Sequence, residues 1–90
     1  MTLSLGCTVF YTLSAGDVDA IDRNLPLTRG HQVRNLVSVG QVLPAVVTAI
    51  FDGSDVTANL KVQLDGEDCY WATSRTFGDR PGTWFWPPRV

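Results

Sequence analysis

The sequence predicts an all-β chain: a small antiparallel barrel or curled meander of about five strands, with a long loop over residues 14–32. Three observations lead there. From Val56 to Leu64 every even position is apolar and every odd one polar, which is the period of a half-buried antiparallel strand. The run Pro44-Ala45-Val46-Val47-Thr48-Ala49-Ile50-Phe51 before it is rich in β-branched residues, which pack well on a pleated surface. Two short glycine-bearing turns, Asp52-Gly53-Ser54-Asp55 and Asp65-Gly66-Glu67-Asp68, punctuate the runs as hairpin connections do.

Taken in order, Cys7 to Leu13 is the first strand. Ser14 to Gly30 fits no strand. Asp17 can cap one helical turn through Arg23, and Pro26 forbids much extension, so this stretch reads as a long loop, the first part of a 14–40 insertion or arm. Loops of that length in a compact domain are functional or mobile. Val33 to Val39, closed by Gly40, is the next strand. The hairpin that follows pairs Phe51 with Val56, Ala49 with Ala58 and Val47 with Leu60 on one face. Val46 and Ile50 then lie on the other face, beside the polar Lys61, Asn59 and Thr57, and need cover from the C-terminal tail or from a partner. Cys69 to Thr73 completes the meander. Closing such a sheet removes edges that invite aggregation.

Ninety residues make a single domain, 1–90. The net charge is -2, charged residues are 18% and hydrophobic ones 44%. That apolar content excludes a disordered acidic tail. The six Arg and one Lys are scattered, which argues against a basic nucleic-acid module. A domain this small buries roughly 60–65% of its unfolded surface, so burial against partners or aromatic packing has to supply stability. The two cysteines, Cys7 and Cys69, make no disulfide framework and read as buried free thiols. The longest apolar run, Val42 to Phe51, is too short to span a bilayer, and no stretch reads as a signal peptide. A soluble, intracellular chain is expected.

Chemistry-bearing patterns are sparse. The one histidine, His31, has neither Cys7 nor Cys69 beside it in sequence, and no G-x-S-x-G elbow occurs. No C-x-x-C or paired histidine marks a metal, and the acidic turns lack calcium-loop spacing. Glycine-rich phosphate loops are absent. The expectation is no enzyme, no cofactor, no metal, no nucleic acid and no membrane.

The C-terminal tail, 78–90, is the distinctive part. Six of the nine aromatic residues lie from Tyr70 onward. If Trp84 to Trp86 is extended, both tryptophans share one face and Phe85 takes the other. Trp71, Trp84 and Trp86 either plug the barrel and cover Val46 and Ile50, or form with Arg75, Arg80 or Arg89 a platform for a planar ligand, or anchor a protein contact. The candidate binding residues are therefore Trp71, Arg75, Arg80, Trp84, Trp86, Val46 and Ile50.

These blocks also carry a resemblance. Val9-Phe10-Tyr11, Leu43-Pro44-Ala45-Val46-Val47, Val56-Thr57-Ala58-Asn59-Leu60-Lys61-Val62, Leu64-Asp65-Gly66, Trp71-Ala72-Thr73-Ser74 and Pro81-Gly82-Thr83-Trp84-Phe85-Trp86-Pro87 resemble a family of small, mostly uncharacterised tailed-phage proteins ending in a PGTWxWP motif. The likeness covers about 50 residues, and the ending is its specific part. Phe10 and Phe85 stand where the family has histidines, Leu43 where it has arginine, and the 14–40 segment is longer. The resemblance implies phage origin and a compact β domain, and carries no catalytic residues.

Small β domains of phages decorate capsids, plug head–tail junctions or bind host defence molecules. The expectation is a virion accessory protein made in the host bacterial cytoplasm: a capsid decoration or cement protein, its partners the major capsid protein or other virion subunits and copies of itself, and its termini held by those neighbours. The alternative is a nucleotide-binding protein that sequesters a host defence signal through the tryptophan and arginine cluster.

Overall fold

A computed structural model gives the fold, with residues 2–23, 34–51 and 54–88 described. The chain runs β1 (Thr8–Thr12), α1 (Ala15–Arg23), β2 (Val42–Ile50), β3 (Thr57–Gln63), β4 (Cys69–Thr76) and β5 (Trp84–Phe85). The strands form one antiparallel sheet in the order β4-β3-β2-β1-β5. It curls into a half-barrel, and a bridge from Phe77 to Trp84 brings the end of β4 round to β5. The expected curled β meander is the fold observed.

The inner face follows the sequence alternation. Val9 and Tyr11 of β1, Leu43, Ala45 and Val47 of β2, and Ala58, Leu60 and Val62 of β3 are all buried, as are Ala72 of β4 and Trp84 of β5. Period-two patterning delivers one apolar side chain per two residues to the same face.

Three sequence expectations are corrected. Of the expected strand 33–39, the described residues 34–39 form no strand and only one bridge, Arg34 to Gly66; Val33 lies outside the described residues. The fifth strand is instead Trp84–Phe85, which pairs with Tyr11 and Phe10 of β1. The 14–32 loop begins with the helix α1. Its N-cap is Ser14, not Asp17. Ser14 Oγ accepts from Asp17 N at 3.1 Å while Asp17 Oδ2 accepts from Ser14 N at 2.9 Å, the reciprocal pairing of a capping box. The remainder of that loop (24–32), with His31, lies outside the described residues, as do Val33, Asp52 and Gly53 of the first turn, and the termini Met1, Arg89 and Val90.

The hairpin register holds at Val47–Leu60 and then shifts. Thr48 is an extra residue, so that Ala49 lies opposite Asn59 and Ile50 opposite Ala58. The slip reverses the outward and inward positions, and Ile50 packs against the core instead of lying on the outer face with Val46. A second irregularity lies across the same residue of β3. Leu60 faces Ala72 and Ala58 faces Arg75, which leaves Thr73 and Ser74 opposite Asn59. Asn59 ties both strands: its carbonyl accepts from Thr48 Oγ1 at 3.2 Å and its side-chain oxygen accepts from Ser74 N at 2.7 Å. Bulges bend strands and increase twist, so the curl concentrates at Asn59.

Ser74 has φ +54°, a left-handed conformation that costs an L-residue free energy and glycine little. Ser74→Gly is expected to keep the fold and stabilise it by about 0.5 kcal/mol, and Ser74→Val to destabilise it by about 1–2 kcal/mol, in urea titrations followed by circular dichroism. The turn into β5 is built from the expected Pro-Gly signal. Thr83 N donates to Arg80 O at 3.1 Å, and Gly82 has φ +90°, which with Pro81 before it is the pattern of a type II turn.

Candidate functional site

The bulge of β4 turns Arg75 inward, toward a carboxylate that is itself almost wholly buried. Asp17, on the first turn of α1, is 1% exposed. Its Oδ2 accepts from Tyr11 Oη at 2.5 Å and from Ser14 N at 2.9 Å. Its Oδ1 accepts from Tyr70 Oη at 2.8 Å and from an Arg75 terminal nitrogen at 2.9 Å. β1, β4 and α1 thus meet on one charge, which four donors satisfy. The Arg75 guanidinium carbon also sits 5.8 Å from the Tyr11 ring centroid, within cation–π range. Its Nε has no hydrogen-bond partner.

Burial alone would raise the Asp17 pKa, but the hydrogen bonds from Tyr11, Ser14 and Tyr70 outweigh it and hold the carboxyl below its usual value. Burial, and then the hydrogen bond to Asp17, push both Tyr11 and Tyr70 above the ordinary tyrosine value. These are the only two tyrosines of the chain. A raised folded-state pKa means stability present below the unfolded value of 10.0 and lost as pH climbs toward the folded one. Each tyrosine that stays protonated while its unfolded counterpart ionises steepens the loss by about 1.4 kcal/mol per pH unit. In an alkaline titration, tyrosinate absorbance is expected to appear only together with loss of the sheet's circular dichroism. Ionisation of either tyrosine near its ordinary value with the sheet intact would contradict this geometry.

A second polar tie fixes the other end of the helix. Arg34 is 8% exposed. It donates to Ile21 O at 2.6 Å, a carbonyl in the last turn of α1, and pairs with Asp68. Asp68 Oδ1 is buried and unpartnered. Beside this pair, Ile21, Leu64, Cys69, Tyr70 and Trp71 complete the wall of a cleft of about 300 Å³.

The sequence candidates separate. Trp84 is core, 1% exposed, with its indole nitrogen donating to Val56 O at 3.0 Å and Arg75 O at 3.2 Å. Trp86 and Phe77 both meet it edge-on at 5.3 Å, and Phe85 meets Phe10 edge-on at 5.7 Å. Trp84 and Phe85 therefore take opposite faces, as extended backbone requires. The platform of Trp84, Trp86 and Arg75 is corrected: these residues do come together, but as a core with Arg75 spent on Asp17, and Trp84 has no free ring face. Val46 is half-buried on the outer face, between Thr8 and Lys61 in register. Ile50 is on the inner face, as above. Arg80 is exposed at the turn before β5. Trp71 is 66% exposed. The thiols are corrected in part: both are free, with Cys7 half-buried and Cys69 exposed instead of buried.

The residues that sequence reasoning missed are Tyr11, Asp17, Tyr70, Arg34 and Asp68. The one available signal was the Ser14-x-x-Asp17 spacing of a capping box, since Asp17 accepts at both the helix start and the sheet.

Among the described residues, fold and site together define a curled five-strand β domain whose helix is tied to it by the Asp17–Arg75 ion pair and by the Arg34 hydrogen bond to Ile21 O. Comparison of the chain with protein-family models, curated proteins and solved structures finds no match. Among the described residues, no helix is long and apolar enough to cross a membrane.

Proposed function

We propose that this chain is a protein-binding module of a phage virion, a decoration or cement protein that stabilises an assembled shell by non-enzymatic contacts. The observation that carries this reading is the distribution of its side chains. Among the described residues, Asp17, Tyr11, Tyr70 and Arg75 are spent on holding the helix to the sheet. Large apolar groups instead face outward: Trp71 at 66%, Phe77 at 52% and Val42 at 46% exposed. Phe77, Val42 and Phe85 line a shallow groove of about 670 Å³. Exposed apolar clusters on a small domain mark interaction sites, and aromatic residues are enriched in interface centres.

The mechanism is burial of that surface between shell subunits. Many copies held by symmetry turn weak contacts into avid ones, and a protein that binds only the assembled lattice stabilises it by linkage. The resemblance in Pro81-Gly82-Thr83-Trp84-Phe85-Trp86-Pro87 supports the phage setting. The test is mass spectrometry of purified particles of the phage that encodes the chain. Multiple copies per particle are expected, and absence from mature particles overturns the reading.

A further inference from the structure

The shallow groove beside β5 is lined by Thr12, Val42, Phe77, Gly78, Asp79 and Phe85. We infer that it takes the Pro87-Pro88-Arg89 segment of a second copy of this chain. The inference rests on the protein-binding reading above, and names the partner of that surface.

Three observations converge. The first is the chemistry of the groove. Phe77 and Phe85 wall it, and Phe77 and Val42 are both exposed. Aromatic-lined grooves are where extended, proline-rich segments dock. Thr12 adds a hydroxyl that can donate to a proline carbonyl, a group that extended prolines leave without an internal partner. Asp79 is exposed at the wall and, among the described residues, enters no ion pair. Arg80, beside it in sequence, does not line the groove. The volume, about 670 Å³, is within the range of ligand sites.

The second is the segment itself. Pro87-Pro88 is the only pair of adjacent prolines in the chain, and Arg89 follows it. Pro88 is exposed and Pro87 half-buried. Paired prolines are already extended, so docking them costs little ordering. Two apolar rings and then a cation match an apolar groove with one carboxylate. The third is that the segment runs away from its own groove. β5 is antiparallel to β1, with Trp84 beside Tyr11 and Phe85 beside Phe10. The chain beyond Phe85 therefore heads toward the Thr8 end of β1. Thr12 and Val42, paired at the opposite end, form the groove's other walls. Pro87-Pro88 resists the reversal that would bring the segment back. Groove and segment are thus joined between copies, which close as a reciprocal pair or a ring, or run on as a chain.

The experiment is sedimentation velocity of the full chain between about 10 μM and 1 mM. The sedimentation coefficient is expected to rise with concentration, with a dissociation constant of about 0.1–1 mM. Two variants at surface positions are expected to keep the wild-type circular dichroism. Pro87→Ala with Pro88→Ala spoils the segment, and Val42→Lys blocks the groove and repels Arg89. Each alone is expected to associate about tenfold more weakly. Their equimolar mixture is expected to recover association, because one variant keeps an intact segment and the other an intact groove. In nuclear magnetic resonance, the peptide Ac-Trp-Pro-Pro-Arg-NH2 is expected to shift the amides of Thr12, Gly78 and Asp79 saturably, and its Ala-Ala counterpart about tenfold more weakly. A chain that stays monomeric throughout overturns the inference and leaves the groove to a different protein. Association kept by the proline variant and lost by Val42→Lys overturns it in favour of two grooves packed face to face. A mixture that recovers nothing, or equal binding of the Ala-Ala peptide, also overturns it. Its failure is separate from that of the virion reading: a monomeric chain found in particles loses this contact alone, and a self-associating chain absent from particles loses only the virion role.

Discussion

Asp17→Ala is expected to destabilise the protein by about 3–5 kcal/mol, the usual result of breaking a buried charge pair by removing one partner. The cause is less the lost carboxylate than what remains. Tyr11, Tyr70 and Arg75 all aim donors at Asp17, and Ser14 loses its reciprocal cap. An unpaired guanidinium would remain under the helix. For a domain of this size, total stability is of the order of 5–10 kcal/mol, so Asp17→Ala is expected to be largely unfolded at growth temperature. Asp17→Asn keeps the volume and loses the charge, and is expected to fall between wild type and Ala. Urea titrations followed by circular dichroism measure both. The wild type should also show an acid limb. Asp17's folded pKa is depressed below 3.8, so its stabilisation is present above that value and is lost as pH falls through the folded pKa. The Asn variant is expected to lack this part of the acid dependence. A wild type and Asn variant with identical acid limbs would show that Asp17 is not the charged partner of Arg75.

Trp84→Ala is the second large effect, at about 3–5 kcal/mol. It empties a core position touched edge-on by Phe77 and Trp86 and strips the carbonyls of Val56 and Arg75 of a donor. It also removes the inward anchor of a strand only two residues long. Its thermal midpoint should fall by well over 10 °C, at about 4–8 °C per kcal/mol for a domain of this size. Trp84→Phe keeps a ring and loses the indole donor, and is expected to cost about 1–3 kcal/mol. The two sites share Arg75, whose guanidinium holds Asp17 and whose carbonyl accepts from Trp84. The Asp17→Ala, Trp84→Ala double variant should therefore be non-additive. Strict additivity would mean that the tail and the helix clamp are energetically separate.

The inner face of β3 was legible because Val56 to Leu64 alternates without exception, and one strand face is all that such a pattern encodes. The helix was harder to read. Only Val18 and Ile21 carry its apolar side, and its capping box uses aspartate at the third position where glutamate or glutamine is the commoner signal. The bulges left no mark at all: neither Thr48 nor Ser74 is a glycine, yet each shifts the register, and those shifts decide that Ile50 packs inward and that Arg75 reaches Asp17. Pro and Gly surround Trp84–Phe85 and obscure it as a strand, whereas 33–39 reads better by β-propensity, yet its described part, 34–39, forms only a bridge. Pairing with β1 outweighs propensity in a strand this short. The clamp joins residues far apart in sequence, which a linear pattern does not display.

The placement of β5 beside β1 has a kinetic consequence. Tyr11 meets Trp84 across a ladder that brings the two ends of the sequence together, whereas β2, β3 and β4 join through short local turns. Loop-closure entropy must be met before such a distant pairing is rewarded. The central hairpins can therefore form early, while arrival of the tail, with the indole settling onto the carbonyls of Val56 and Arg75, becomes the slow final step. Substitutions in β5 are then expected to speed unfolding more than they slow folding. The signature element of the sequence would act as a latch on the finished fold instead of a seed for it.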